Sequence, residues 1–397
     1  MKQIGLLIPG LDRIGGAERQ VLLLAHGLQR RGWRVSVVVL SGQGGEAAKE
    51  LRQHEISFVS LGFRKGLADP RGWLRFRRWL LRERPDVLHA HLPHAAWLAR
   101  SARLWAPLPA LVDTIHSASA GGWPRRLIYR FTRRFPDAVT AVSYAAAETY
   151  LRAGMVRAHT LHVIPNGVDF IRFAPDPVVR SAIRSDLGAA NAFLWLAAGR
   201  LDEVKNYPLL LRAMAALPED NWLLIAGAGS QEAGLKALAS WLGLDGRVRF
   251  LGFRQDLERW MQAADAFVLS SLWEGLPLAL LEAAACELPI VATDVPGTRE
   301  AVEQLGTGRL VAPGDPAALA GAMRELTVRP QRELRAMSAR ARRNAAPRFA
   351  IDAVLDHWEA IYNQLMHGTM SPCVPVTGSE AGDSECAGDS PLHKHVP

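Results

Sequence analysis

The chain has 397 residues, of which 49% are hydrophobic and 22% are charged, a composition that excludes disordered, fibrous and collagen-like proteins. Because a single core usually stops growing at roughly 250–300 residues, two domains are expected. The net charge of +8 indicates an anionic partner, and nucleic acid is not the expected one because no recognised nucleic-acid-binding motif accompanies the charge.

Short apolar runs alternate with segments of helical periodicity along the chain. They predict a first series of strands at 3–8, 34–40, 56–60, 86–90 and 110–114. A second series follows at 138–143, 162–169, 193–200, 221–227, 247–252, 266–271, 289–294 and 308–313. Alternating strands and helices form parallel, doubly wound sheets. The predicted fold class is therefore α/β, with two Rossmann-like parallel-sheet domains that face each other across a cleft.

The Pro-containing segment 171–180 is the predicted linker between the two domains. We expect a first domain over 1–170, a second domain with a closing C-terminal helix over 171–366, and a disordered tail over 367–397. The tail repeats AGDS at 381–384 and 387–390 and lacks apolar periodicity. Reduced thiols are expected at Cys286, Cys373 and Cys386, and a disulfide in the tail stays open.

No run approaches the roughly 20 apolar residues that span a bilayer, and the first residues lead into a strand pattern without a signal peptide. A cytoplasmic protein is the expectation. Two arginine-rich stretches, 71–85 and 123–135, concentrate positive charge in the first 135 residues. In the second, Trp123, Leu127, Phe131 and Phe135 recur every four residues, which is typical of a helix lying on an anionic membrane surface. The alternative is a core-packing helix with a solvated arginine face.

Two loops that follow predicted strands have the residue types of a phosphate site. Gly15 and Gly16 lead directly into a helix, where backbone N–H groups and the helix dipole favour an anion. The segment GRLDEVKN offers Arg200 and Lys205, which together match the charge of a diphosphate. An ordinary tight turn and a solvated charge cluster are the alternatives. A third loop, with Gly227 and Gly229, fails the dinucleotide fingerprint because Glu232 replaces the third glycine.

The segment SLWEGLPLALLEAAAC follows the predicted strand at 266–271. Pro277 suits the first position of a helix, which leaves Glu274 in the loop and Glu282 as the one charge in a helical run of Leu and Ala. A buried, unpaired carboxylate costs several kcal/mol. Glu282 is therefore expected either to meet ribose hydroxyls or basic side chains, or to lie on an exposed stripe.

The glycine-rich first loop, the pair Arg200 and Lys205 in GRLDEVKN, and the segment E-G-L-P-L-A-L-L-E together resemble the retaining glycosyltransferases of the GT-B fold, family 4. The resemblance covers roughly residues 3–366, and it implies that the domain over 1–170 binds the acceptor and that the domain over 171–366 binds the nucleotide sugar. It implies that Glu282 holds the ribose of a nucleotide-sugar donor and that Glu274 lies beside the transferred sugar. Arg200 and Lys205 would bind the diphosphate as catalytic residues. The other implied site residues are His116 near the sugar, Phe253 and Arg254 near the base, Gly15 and Gly16 at the phosphates, and Gly275, Leu276 and Pro277, whose backbone contacts sugar or phosphate.

The implied reaction is transfer of a hexose or an N-acetylhexosamine with retention of configuration, assisted by fixed cations at the leaving diphosphate. UDP-sugars are the favoured donors and GDP-mannose is the alternative. The expected acceptor is a lipid-linked glycan of cell-surface polysaccharide biosynthesis, reached from the inner face of the plasma membrane. No cofactor or metal is expected, since the sequence contains no D-x-D.

Other chemistry remains open. Glu274 as a glycosidase-like nucleophile is one alternative. The histidines His89, His91 and His94 are expected to line the cleft near the acceptor, and zinc bound by them is the alternative. At the level of the whole protein, the alternatives are a sugar-nucleotide 2-epimerase on the same fold and a non-catalytic protein that binds sugar nucleotides or lipid-linked glycans.

Overall fold

The computed structural model describes residues 1–64, 67–106, 108 and 110–368. Its first sheet has seven parallel strands in the order β3-β2-β1-β4-β5-β6-β7. These strands are β1 (Gln3–Ile8), β2 (Arg34–Val39), β3 (Ser57–Ser60), β4 (Val87–His91), β5 (Ala110–Ile115), β6 (Ala138–Ala141) and β7 (Leu161–Val163).

The second sheet has six parallel strands in the order β10-β9-β8-β11-β12-β13. They are β8 (Phe193–Ala198), β9 (Asn221–Ala226), β10 (Val248–Gly252), β11 (Ala266–Leu269), β12 (Ile290–Thr293) and β13 (Arg309–Val311). Every predicted strand is present, and the prediction of two doubly wound parallel sheets is confirmed. The first two strands of the predicted second series, β6 and β7, belong to the first sheet. The predicted strand at 162–169 is shorter in the structure, because the turn at Pro165–Gly167 ends β7.

Helices connect the strands and cover both faces of each sheet, which is why β4, β5 and β6 are buried along their whole length. Aspartate or serine side chains cap the N-termini of several of them, such as Asp69, Ser143, Asp176 and Asp315. In chain order the helices are α1 (Gly16–Arg30), α2 (Gly45–Gln53), α3 (Pro70–Glu83), α4 (Pro93–Ala102), α5 (Trp123–Thr132), α6 (Tyr144–Arg152), α7 (Pro177–Leu187), α8 (Tyr207–Ala215), α9 (Glu232–Trp241), α10 (Leu257–Ala263), α11 (Leu278–Ala285), α12 (Pro296–Leu305), α13 (Pro316–Thr327), α14 (Gln331–Phe349) and α15 (Ile351–His367).

Each sheet reverses its strand order at one place, and ligands of open parallel sheets bind there, beyond the carboxyl ends of the strands. In the first sheet the reversal lies between β1 and β4, and in the second it lies between β8 and β11. The loops that follow these four strands therefore define the cleft.

The last helix does not pack where the order of the chain suggests. Val354, Leu355 and Trp358 of α15 join the buried core of β1, β2 and α1 in the first half. The chain passes from the first half to the second near Val168 and returns to the first half near residue 350, and the two passages lie side by side. Val168 donates to the carbonyl of Phe349 at 2.7 Å, and Ile351 donates to the carbonyl of Val168 at 2.9 Å. The predicted boundaries assign this helix to 171–366 by sequence order, whereas its side chains complete the core of the other half.

The aromatic side chains of the two arginine-rich stretches differ in burial. In α3, Phe76 and Trp79 are buried in the core. In α5, Trp123 is 75% exposed and Phe131 is 73% exposed, so the alternative prediction that this helix packs in the core is wrong for these two side chains.

Within the described residues, no helix is long and apolar enough to cross a membrane. The predicted disordered tail falls, from residue 369 onward, outside the described residues, as do Cys373 and Cys386, while Cys286 is a buried free thiol.

Candidate functional site

The loops after β8 and β11 are joined at the switch point of the second sheet. Leu272 donates its backbone N–H to the carbonyl of Val204 at 2.8 Å, and the Ser270 hydroxyl donates to the carbonyl of Lys205 at 2.8 Å. Lys205 ends a single 3₁₀ turn, Glu203–Lys205, and the following Asn206 has a positive φ of 48°. These bonds fix the backbone that carries the Lys205 ammonium.

Lys205 and Glu274 form an ion pair with Nζ and Oε1 2.5 Å apart. Both side chains are largely buried, with 16% and 12% of their surface accessible. Ser271 donates its hydroxyl to the same Oε1 at 2.6 Å. One of the three N–H donors of the ammonium is therefore used by Glu274, and the others are left to meet a ligand.

Glu282 is buried on α11 and makes an ion pair across the cleft. Its Oε1 accepts from Nη1 of Arg19 on α1 at 2.7 Å, while its Oε2 has no hydrogen-bond partner among the described residues. Burial raises the pKa of Glu282, and the Arg19 guanidinium opposes that shift. The alternative prediction that Glu282 lies on an exposed stripe is wrong. A basic side chain meets this carboxylate, and one oxygen is still without a donor.

His116 follows β5 and lies against the other half of the protein. A Cβ on Gly275 would stand 2.5 Å from the carbonyl oxygen of His116, so only glycine permits this approach of the two backbones. The His116 Nε2 lies 3.1 Å from Nδ1 of His91 at the end of β4. Burial lowers the pKa of His116 to about 4, so its ring is neutral at pH 7.

The first loop brings α1 to the same cleft. Gly15 caps the helix and donates its N–H to Glu18 at 3.0 Å, and α1 begins at Gly16. A Cβ on Gly16 would meet no atom within 4 Å. Packing within the described protein therefore does not require glycine at this position, which leaves room for a ligand beside this helix start.

Three predicted residues lie nearer the rim. The Arg200 side chain is 72% exposed and pairs with Asp202 at 3.0 Å. Arg254 follows the edge strand β10, binds both oxygens of Asp256 at 2.8 Å and stands over the ring of Trp260. Phe253 beside it is half exposed. All three lie at the carboxyl end of the second sheet, but the charges of the two arginines are directed to their own neighbours.

Leu276 and Pro277 form the entry to α11. Pro277 is the N-cap, and the helix begins at Leu278, one residue later than predicted. The carbonyl of Leu276 accepts from Nδ2 of Asn166 at 2.9 Å. Asn166 belongs to the turn after β7 that Gln20 of α1 holds through two hydrogen bonds of 2.7 Å with Gly167. The donor loop is thus tied to the first half.

Gly229 and His89, which belong to the alternative nucleotide and zinc sites, both have packing roles. A Cβ on Gly229 would stand 2.3 Å from the carbonyl oxygen of Leu201, so this glycine allows two loops to pack together. His89 is buried between the Tyr362 hydroxyl at 2.7 Å and the Thr114 hydroxyl at 2.5 Å. Across the part of the chain that the structure describes, no group of three or more His, Cys, Asp or Glu side chains is arranged to hold a metal ion.

Sequence reasoning missed three residues of the cleft, namely Arg19, His91 as a partner of His116, and Asn166. Arg19 lies three residues after Gly16, one turn into a helix whose start the sequence predicts as an anion site. Asn166 sits in a Pro-Asn-Gly turn at a strand end, which is a signal of a loop that carries function. The partners of Arg19 and Asn166 lie 263 and 110 positions away in the chain, so local patterns did not indicate these contacts.

Comparison with known proteins agrees with this geometry. The family model described as Glycosyltransferase Family 4 matches residues 14–172, and the model described as Glycosyl transferases group 1 matches residues 179–344. A D-inositol 3-phosphate glycosyltransferase of Xylanimonas cellulosilytica is 30% identical over 90% of this chain and 93% of its own.

Two further proteins are similar over much of their length. A UDP-Gal:alpha-D-GlcNAc-diphosphoundecaprenol alpha-1,3-galactosyltransferase of Escherichia coli is 29% identical over 62% of this chain and 67% of its own. The crystal structure of HepE of Anabaena in complex with UDP and glucose superposes with a TM-score of 0.82 and 25% identity, and covers 92% of this chain and 100% of HepE. With the family models in the order that the resemblance implies, the chain belongs to the group 1, family 4 glycosyltransferases of the GT-B fold.

Proposed function

We propose that this glycosyltransferase moves a hexose or an N-acetylhexosamine from a UDP-sugar to a lipid-linked glycan, with retention of configuration. The observation that carries the proposal is the ion pair of Lys205 and Glu274 at the switch point of the second sheet. It presents a fixed cation and a carboxylate at the carboxyl ends of the strands. Gly275, next to Glu274, lies against the backbone of His116 from the other half.

In the proposed reaction, the bond between the anomeric carbon and the diphosphate oxygen breaks. The acceptor hydroxyl oxygen forms its new bond on the same face of the sugar, and its proton passes to the departing phosphate oxygen. Lys205 donates to that diphosphate, where negative charge develops, and a preorganised cation stabilises this charge more in the transition state than in the ground state. Arg200 and the N–H of Gly16 are the further proposed donors to the diphosphate. Glu274 holds the ammonium and lies beside the sugar.

The proposed donor site uses the unpartnered oxygen of Glu282. Ribose hydroxyls supply the donors that Oε2 lacks, while Arg19 keeps Oε1. Phe253 and Arg254 are proposed to flank the base. UDP is preferred over GDP because HepE binds UDP and the Escherichia coli relative is named for UDP-Gal. Binding without a metal ion is proposed, since the cations of Lys205 and Arg200 take the place of one.

Helix α5 supports the membrane part of the proposal. Trp123, Leu127 and Phe131 are exposed on one side of the helix, with Arg126 and Arg130 on the same short element. Exposed aromatic and aliphatic side chains flanked by arginines match an anionic lipid surface, where the rings enter the interface and the cations meet lipid phosphates. The Escherichia coli relative is named for a diphosphoundecaprenol-linked acceptor, which is the kind of substrate that such a surface would present.

Thermal stabilisation tests the donor. A ligand that binds only the folded state raises the melting temperature, so UDP with excess EDTA is expected to raise it, and GDP and NAD to raise it less or not at all. A shift with NAD alone would contradict the glycosyltransferase reaction, and a UDP shift that EDTA abolishes would contradict metal independence. The anomeric configuration of the product, read from its NMR coupling constant, tests retention, which an inverted product would refute.

Sedimentation with anionic vesicles tests the membrane surface. Charge reversal at Arg126, Arg130 and Arg133 is expected to reduce the bound fraction several-fold, since each basic residue near the surface contributes about 1 kcal/mol. UDP binding serves as the control and should not change. A variant that sediments like the unmodified protein would refute the proposed membrane contact.

A further inference from the structure

A pocket opens beside His116, and the reaction proposed above does not use it. Its walls include His116, Ser117, Arg125, Tyr129 and the start of α4 at Pro93. The pocket lies at the carboxyl ends of the first sheet, because β4 leads into α4 and β5 leads to His116. A group bound here would be next to the neutral His116 ring.

Arg125 is held in the wall of this pocket by aromatic residues. Its guanidinium stands 5.7 Å from the ring centre of Tyr129 and 5.6 Å from that of Tyr150, and it donates to the Tyr150 hydroxyl. That hydroxyl in turn donates to the carbonyl of Ser119 at 3.3 Å. The backbone makes room for the side chain at Gly121, where φ is +71° and a Cβ would stand 2.7 Å from Cδ of Arg125.

The charge of Arg125 has no direct counter-ion. Among the residues that the structure describes, no carboxylate forms an ion pair with it, and its Nε is buried without a hydrogen-bond partner. The nearby Asp113 is already paired with Arg100, and both side chains are almost wholly inaccessible. Burial raises the pKa of Tyr150 to about 12, so its hydroxyl is neutral and does not offset the cation.

A fixed, uncompensated cation in a partly enclosed pocket attracts an anion strongly, because low local polarity reduces screening. A guanidinium with free N–H groups is suited to phosphate oxygens. Neutral His116 and the hydroxyl of Ser117 add hydrogen-bonding groups without adding a carboxylate that would repel the ligand.

We propose that the pocket between His116 and Arg125 is an anion subsite that binds the phosphate or diphosphate group of the acceptor. The inference rests on the proposed function and narrows its acceptor to a phosphorylated one. It also gives α5 two roles, since Arg125 lies at the pocket while Trp123 and Phe131 are exposed on the same helix. A lipid-linked diphosphate held at a membrane surface would reach the pocket along this helix.

The first experiment measures binding of inorganic pyrophosphate to protein already saturated with UDP, so that the donor site is occupied. Arg125→Gln is expected to weaken pyrophosphate binding at least tenfold and to leave UDP binding unchanged. Arg130→Gln, on an exposed part of the same helix, is the matched control and should change pyrophosphate binding less than twofold. Arg125→Lys keeps the charge and should retain most of the affinity. Pyrophosphate binding to Arg125→Gln with unchanged affinity would overturn the proposal.

The second experiment separates phosphate recognition from lipid recognition. Transfer is measured to a soluble glycosyl diphosphate and to the same group linked to a polyprenyl lipid in vesicles. Equal losses of kcat/KM with Arg125→Gln for both acceptors support a phosphate subsite, whereas a loss confined to the lipid-linked acceptor would overturn it. If UDP fails to bind, the proposed function fails, and pyrophosphate titration of Lys205→Ala and Lys205→Ala/Arg125→Gln still decides whether Arg125 holds an anion.

Discussion

The two sides of the cleft carry different polar chemistry. On the side of the second half, Lys205 and Glu274 form a charged pair, and Glu282 is a buried carboxylate that Arg19 meets from the opposite side. On the side of the first half, His91 and His116 are buried rings whose pKa values are lowered by burial, so they stay neutral. The proposed leaving diphosphate thus lies at the charged side, and the proposed acceptor hydroxyl lies beside the two neutral rings, with Arg125 as the cation for the acceptor phosphate.

The difference indicates what each side has to do. A leaving diphosphate gains charge during the reaction and is stabilised by cations that are already in place. An acceptor hydroxyl gains a partial positive charge as it attacks, and a histidinium beside it would oppose that change, whereas a neutral ring does not. Four predictions test this division.

The largest expected effect comes from the ion pair that joins the two sides. Arg19→Leu leaves the Glu282 carboxylate buried without a cation and is expected to lower the free energy of unfolding by about 3 kcal/mol, measured in urea at pH 7.5. Arg19→Leu/Glu282→Gln removes the charge as well and should recover part of that loss. Equal stabilities of the single variant and the unmodified protein would mean that the pair contributes nothing to holding the halves together.

The second-largest expected effect comes from removal of the Lys205 cation on the donor side. Lys205→Ala is expected to lower kcat by on the order of 10²-fold, because the leaving diphosphate loses its fixed ammonium. Lys236→Ala is the matched control, since Lys236 is exposed and pairs with Glu232 at 2.8 Å, and it should keep its activity. Near-normal turnover of Lys205→Ala at saturating donor would refute the role proposed for this residue.

Lowering the pH tests the neutral state of His116 on the side of the first half. His116 has a pKa of about 4 in the folded protein, compared with 6.5 for an ordinary histidine, so between these values the unfolded chain binds more protons than the native one. Stability is therefore lost as pH falls from about 6.5 towards about 4, by on the order of 2 kcal/mol at pH 5 for this residue alone. Urea unfolding at pH 7.5 and 5.0 measures the loss, and His116→Asn should reduce it. The same loss in that variant would assign it to other groups.

The smallest effect concerns the hydrogen bond from Asn166 to the Leu276 carbonyl. Asn166→Ala is expected to cost about 1 kcal/mol of stability and a few-fold in kcat/KM, because the donor loop loses its tie to the first half. Asn344→Ala removes a bond of the same kind, to the Leu305 carbonyl at 2.8 Å, away from the cleft. It should cost similar stability and no activity. Equal kinetic losses in the two variants would show that the Asn166 tie has no special role.

Much of the fold was open to prediction because its signals are local. The central strands are short apolar runs that are buried on both faces, and the intervening helices have their own periodicity and caps. The burial of Glu282 was also predictable as one of two alternatives, since a helix of Leu and Ala has little polar surface to place in water. The sequence placed Lys205 and Glu274 in loops after strands, but their ion pair was not predicted, because it depends on β8 and β11 being neighbours in the sheet.

The remaining features depend on contacts between distant parts of the chain. The pair of Arg19 with Glu282 spans 263 positions, and the bond from His89 to Tyr362 spans 273. Neither leaves a periodic pattern in the sequence. The exposure of Trp123 and Phe131 is a similar case, because an amphipathic pattern indicates that a helix has an apolar side but does not indicate what covers it.

The position of α15 has a consequence for biosynthesis. The first half begins at β1, yet its core stays open until residues 351–367 have been made, because Val354, Leu355 and Trp358 pack against β1, β2 and α1. A growing chain therefore displays an unfilled apolar surface during synthesis of the whole second half. We expect nascent chains that stop near residue 350 to be bound by chaperones. We expect the core of the first half to be complete only after the last helix leaves the ribosome.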